Sequence, residues 1–152
     1  MQNIIGQNNY LTREPIEIGK IVQNIALNSC GAMVIFTGHV RDHSKNKKGE
    51  TKDVKALEYT AFEPLANQLI NEILTEAISK FNLNGAYCLH RLGFLNLQEI
   101  AVIIITTAKH RKECYKANQY IIDRIKHEVP IWKKEYFIDG TIEWSEGCIH
   151  EH

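Results

Sequence analysis

An α+β domain with a largely antiparallel sheet and helices packed against it is what this sequence predicts, on three observations. Two stretches repeat apolar residues at helical spacing and stop at recognisable breakers. Short runs rich in β-branched residues lie between and after them, and the dipeptide Asp139-Gly140, a favoured hairpin turn, joins the last two runs. A chain of 152 residues with 44% hydrophobic content can fill one core but is short for two. Residues 1–152 are therefore read as a single domain, with 1–13 and 146–152 as flexible ends.

Pro15 suits the first turn of a helix, and Ile18, Ile21, Val22 and Ile25 recur at helical spacing, so a helix is predicted from about Pro15 to Asn28. Ala32 to Val40 is a strand, with Gly38 marking a bulge or a close backbone approach. Asp42 to Asp53 holds no apolar residue and is expected to be a mobile loop. Val54 to Tyr59 alternates as a strand, expected to pair with the previous one across that loop.

From Pro64 to Lys80 the positions Leu65, Leu69, Ile73, Leu74, Ala77 and Ile78 mark one stripe of a long helix. Asn82 and Gly85 break it. Ala86 to Arg91 and Ile100 to Thr107 are strands around a turn holding Gly93, the second so apolar that it should be central and covered on both faces. Arg111 to His127 is a helix with Cys114, Ala117, Ile121, Ile122 and Ile125 inward, closed by Pro130. Ile131 to Ile138 and Thr141 to Trp144 complete the order αββαββαββ.

Eighteen Lys and Arg balance eighteen Asp and Glu, so any basic site must be local and nothing in the overall charge attracts nucleic acid or anionic membrane. The start of the chain lacks the pattern of a secretory signal, and the longest apolar run, Ala101 to Ile105, is strand-sized. The four scattered cysteines contain no C-x-x-C pair. A cytoplasmic protein with reduced thiols is expected.

Three basic constellations stand out. Lys109-His110-Arg111 sits where a buried strand gives way to a helix, where free N–H groups, the helix dipole, an imidazole and a guanidinium fork would together favour an anion. Taken alone it is equally a solvated helix start. Phe36 to Arg41 leaves a strand with a glycine that permits close ligand approach and an arginine at the strand end, or is an ordinary bulge. Lys126 and Lys133 bracket the Pro130 turn; two ammonium groups brought together and partly desolvated would have the lowered pKa that a base or nucleophile needs, unless both reach into water. The tail Cys148-Ile149-His150-Glu151-His152 offers thiol and imidazoles, but a chain end is a poor zinc scaffold, and no metal or other cofactor is expected.

In this order, the segments GAMVIFTGHVR (Gly31 to Arg41), LEYTAF (Leu57 to Phe62), HRLGFL (His90 to Leu95), AKHR (Ala108 to Arg111) and IIDRIKHEVPIWKKE (Ile121 to Glu135) resemble the large, catalytic subunit family of molybdopterin synthase. The resemblance implies an α/β hammerhead-type catalytic domain that forms a homodimer at the centre of a heterotetramer. It implies a small ubiquitin-like sulfur-carrier subunit at each end, whose C-terminal Gly-Gly carries a thiocarboxylate. The substrate would be cyclic pyranopterin monophosphate, and the sulfurtransferase product molybdopterin, an intermediate of molybdenum cofactor biosynthesis. Position by position, Lys126 and Lys133 match the family's catalytic lysines, Arg41, His110 and Arg111 its anion-binding residues, and Phe36 an aromatic beside the pocket. Arg91 matches more weakly, as a structural or peripheral residue.

There are departures from the family pattern. Gln98 stands where a glycine is usual, so that turn is expected to take another geometry; residues 147–152 are unlike the usual tail; and the loop Lys45 to Lys52 is unusually rich in lysine. Two other readings use the same residues. One is a noncatalytic nucleotide- or nucleic-acid-binding module, against which the charge balance and the lack of an RNP-like aromatic pattern weigh. The other is a zinc hydrolase built on His110, His127 and the tail histidines, which lacks any H-E-x-x-H spacing.

Overall fold

The computed structural model describes residues 9–145. Nine strands and three helices follow in the order β1 (Leu11–Thr12), α1 (Ile18–Val22), β2 (Ala32–His39), β3 (His43–Lys45), β4 (Thr51–Ala61), α2 (Glu63–Phe81), β5 (Gly85–Arg91), β6 (Gly93–Asn96), β7 (Ile100–Ala108), α3 (Arg111–Glu128), β8 (Ile131–Phe137) and β9 (Ile142–Trp144). The expected α+β class holds. No helix of these residues is long and apolar enough to cross a membrane.

Two sheets form. One runs β1-β5-β7-β2, antiparallel except for the short parallel pair β1 and β5; the other runs β3-β4-β8-β9, with β6 also pairing β4. The near-continuous apolar run of β7 does become the central strand, buried from Ala101 to Ala108. Val102 and Ile104 face the core shared with α2 and α3, while Ile103 and Ile105 face Ile16 and Ile25 from the segment around α1. Asn118, buried on α3, ties this helix to both neighbouring strands by donating from Nδ2 to the carbonyls of Val34 (3.1 Å) and Ile104 (3.2 Å).

Several expectations need correction. The first helix is five residues long rather than fourteen: Ile16 and Ile25 dock on the sheet from the segments that flank it, Ile25 from a turn closed by its N–H to the Val22 carbonyl. The charged segment is not a bare loop: His43 to Lys45 pairs with Thr51 to Asp53, so the hairpin is β3 with β4. Strand β2 pairs with β7, not with β4. A register shift between Val54 and Ala56 switches which side of β4 faces inward, so Val54 and Leu57 are buried together. The buried stripe of α2 is turned by about one position, with Ala66 and Ile70 inside and Leu65 exposed.

The segment around Gly93 is a strand corner rather than a turn. With φ of +89°, Gly93 bends the chain from β5 in the first sheet to β6 in the second. Gln98, expected to force another geometry, instead adopts φ +74°, the left-handed backbone that glycine occupies without strain. The predicted bulge at Gly38 is present, and a Cβ there would lie 3.0 Å from Cγ1 of Val102.

Candidate active site

Where the two sheets turn away from each other, a cavity of about 400 Å³ opens between the ends of β2 and β5, strand β8 and the last turn of α3. Lys126 and Lys133 both line it. The helix brings Lys126 there because Ile121 and Ile125 anchor its final turns in the core, and Pro130 then forces the chain out of helix and into β8. Strand alternation does the rest: Ile131, Glu135 and Phe137 are buried, so Lys133 between them points to the same side.

Lys126 is an exposed residue that lines the cavity wall. Desolvation there lowers its pKa, and the charges of Lys133 and Arg41 lower it further. Arg41 follows β2 directly and lines an adjoining depression with His43, Ser44 and Lys45. Phe36 lines the main cavity, as expected. One chain therefore gathers Lys126, Lys133, Arg41 and Phe36.

It does not gather His110 and Arg111. Both lie exposed at the start of α3, His110 as its N-cap without a side-chain cap bond. At the other end of the same helix is Lys126, fifteen residues and so ~22 Å along the axis. The strand-to-helix junction predicted for them is present, and Gly31 packs so closely there that a Cβ would come 2.3 Å from the Lys109 carbonyl. The tail from Gly147 to His152 lies outside the described residues, and among those described no group of three or more His, Cys, Asp and Glu gathers as metal ligands would.

Three cavity residues escaped the residue-by-residue reading: Tyr59, His90 and Glu135. His90 is buried, and its ring meets Tyr59 edge to face at 5.0 Å. Burial pushes the His90 pKa down to about 4 against an opposing hydrogen bond to the Arg91 backbone, with the Lys126 charge pushing the same way as burial. Burial also raises the Tyr59 hydroxyl to about 12, helped by Glu135. Glu135 approaches Lys133 at 3.8 Å. The one available signal was their place inside the LEYTAF, HRLGFL and WKKE segments, where the basic residues drew notice first. Arg91 is structural: buried, it pairs with Glu99 at 3.0 Å across the corner between β6 and β7.

Residues 11–128 match the family model described as MoaE protein. The chain belongs to the MoaE family. Curated relatives bear the name molybdopterin synthase catalytic subunit. That of Staphylococcus aureus (strain COL) is 40% identical over 135 residues, 89% of this chain and 87% of the relative. That of Bacillus subtilis (strain 168) is 39% identical over 134 residues, 88% and 82%. Among solved structures, molybdopterin synthase from S. aureus superposes with a TM-score of 0.81 at 36% identity, covering 91% of this chain and 97% of that one. A complex of subunits 1 and 2 of molybdopterin-converting factor from Helicobacter pylori 26695 aligns with a TM-score of 0.70, over 90% and 88% of the two chains. At 17% identity it speaks to the fold alone. MoaE family membership and these superpositions agree with the hammerhead-type α+β domain implied by the sequence motifs, and with an enzyme that forms molybdopterin.

Proposed function

We propose that this chain is the catalytic subunit of a molybdopterin synthase. It transfers sulfur from the thiocarboxylated Gly-Gly terminus of a small ubiquitin-like subunit to cyclic pyranopterin monophosphate, forming the dithiolene. The observation that carries the assignment is the pairing of Lys126 with Lys133 in one cavity, with Arg41 close enough to lower the pKa of Lys126. In a partly desolvated pocket, fixed cations stabilise an oxyanion far better than water does, because they need not reorganise as charge develops. Lys126 orients the thiocarboxylate and stabilises the acyl intermediate; Lys133, steadied by Glu135, binds the pterin or assists proton transfer.

Arg41, His110 and Arg111 together would hold the cyclic phosphate and stabilise the departing oxygen. Since a single chain leaves His110 and Arg111 ~22 Å along the helix from Lys126, they reach the cavity of a second copy, in a homodimer that forms the centre of a heterotetramer. The small subunit's tail would enter extended, along a sheet edge. This chemistry belongs in the cytoplasm, where cysteine thiols stay reduced. The nucleic-acid-binding alternative has no observation in its favour.

The test is to mix the protein with a thiocarboxylated small subunit and cyclic pyranopterin monophosphate and assay dithiolene product. Lys126→Ala should abolish product while small-subunit affinity stays within severalfold of wild type. Equal loss of both would remove the catalytic role.

A further inference from the structure

The cavity holds a buried histidine that the sulfur-transfer chemistry assigned to the lysines leaves without a task. His90 is the penultimate residue of β5, its backbone N–H bonded to the Tyr10 carbonyl at 2.9 Å, so the ring's position is set by the sheet. Nδ1 lies 2.8 Å from the Arg91 carbonyl oxygen. A carbonyl can only accept, so Nδ1 must carry the hydrogen. Nε2 then carries a lone pair. Contact with the edge of Tyr59 holds the ring plane, and the ring lines the cavity. No hydrogen bond to Nε2 occurs among the described residues.

The surroundings of that lone pair are dominated by donors. Lys126 from α3, Lys133 from β8, Tyr59 from β4, His39 of β2 and Lys45 of β3 line the same cavity, Arg41 after β2 acts on Lys126, and the charge of Lys126 is felt at His90. The other strong acceptor is the Glu135 carboxylate, which is turned toward Lys133. His39 spends its Nδ1 hydrogen on the Gln98 carbonyl at 2.7 Å. A locked, uncharged acceptor beside a crowded lysine has one evident use.

We propose that His90 is a positioning residue whose Nε2 lone pair, unbonded in the resting chain, accepts a hydrogen bond from the Lys126 amine once the thiocarboxylate terminus is bound, and holds that group at the reacting carbonyl. The amine donates in both of its protonation states, so the contact survives proton transfer at Lys126. An imidazole that ionised readily would add a further positive charge to the cluster and repel the lysine; burial prevents this. The inference rests on the assignment of Lys126 as catalytic.

Two substitutions separate positioning from packing. His90→Asn keeps an N–H where Nδ1 was, and so the bond to the Arg91 carbonyl, but has nothing in the place of Nε2. His90→Gln places an amide oxygen near Nε2. In the complex with thiocarboxylated small subunit and saturating cyclic pyranopterin monophosphate, His90→Asn should slow a single turnover at least ~10-fold, the rate equivalent of one lost hydrogen bond to a charged group. Its KM and melting temperature should stay near wild type. The pH–rate limb due to Lys126 should move to lower pH, because the lost acceptor no longer favours the ammonium. His90→Gln should recover most of the rate. A wild-type rate in His90→Asn, or a slow variant with an unmoved limb and no rescue by glutamine, would overturn the proposal.

A second measurement needs no substitution at His90. In the complex with thiocarboxylated small subunit, the ¹⁵N resonance of Nε2 should lie nearer that of a free acceptor in Lys126→Ala than in wild type; equal resonances count against the contact. If Lys126→Ala still forms product, the catalytic assignment itself falls. An inactive Lys126→Ala beside a fully active His90→Asn removes only the role of His90.

Discussion

Lys126 and His90 are pushed by burial toward their uncharged forms, and each is pushed further by neighbouring cations. For His90 this has a consequence for stability. The unfolded chain takes a proton at its ordinary value of 6.5, the native state only near 4. Between those values unfolding binds a proton, so stability rises with pH across the window and the full penalty is present below it. The difference is on the order of 3 kcal/mol, since each pKa unit corresponds to ~1.4 kcal/mol. Urea midpoints compared above pH ~7 and near pH ~4.5 should show wild type losing much of this, and His90→Asn, which cannot titrate, losing less. Parallel slopes in the two proteins would mean that other groups carry the acid sensitivity. At the same scale, the lysine pair was legible from the sequence because its spacing around Pro130 is local. His90 was not, because its burial comes from strands far away in the chain.

Helix α3 carries Lys126 near one end and His110 and Arg111 at the other, so its attachment to the sheet positions both. That attachment is partly polar. Asn118 is buried at 4% exposure, and its amide donates to carbonyls of β2 and β7 beneath the helix. Asn118→Leu should cost roughly 1–3 kcal/mol, the loss of two buried hydrogen bonds, read as a lowered midpoint in urea with an unchanged slope. An unaltered midpoint would show that packing alone seats the helix. Both long helices were legible from periodicity, breakers and Pro130. The short elements β1, β3 and β6 were not. Leu11–Thr12 is too short to show a period, and β3 is a polar strand held by pairing with β4 rather than by its own side chains. The corner at Gly93 looked like a turn because a glycine with positive φ serves either purpose.

For the whole molecule, the proposed site needs Arg41 and the lysines of one copy beside His110 and Arg111 of another. If two copies share each site, mixing Lys126→Ala protein with Arg111→Ala protein should restore activity, since a mixed dimer assembles one site with every residue intact. With free exchange, half the dimers are mixed and half of their sites are whole, so about a quarter of wild-type sites should recover. No recovery after verified subunit exchange would confine each site to one chain. The sequence by itself determined the α+β class, the central burial of β7, both long helices and the family, because these follow from local periodicity and from ordered motifs. Only the tertiary structure decided that β2 pairs with β7, that a second sheet is built on β4, and that a buried histidine shares a cavity with Lys126. It also decided that the basic cluster is split along α3. Strand pairing and burial arise between segments distant in sequence, and helix length sets a separation that residue types do not reveal. The cluster read as one site is, in a single chain, divided between the two ends of α3.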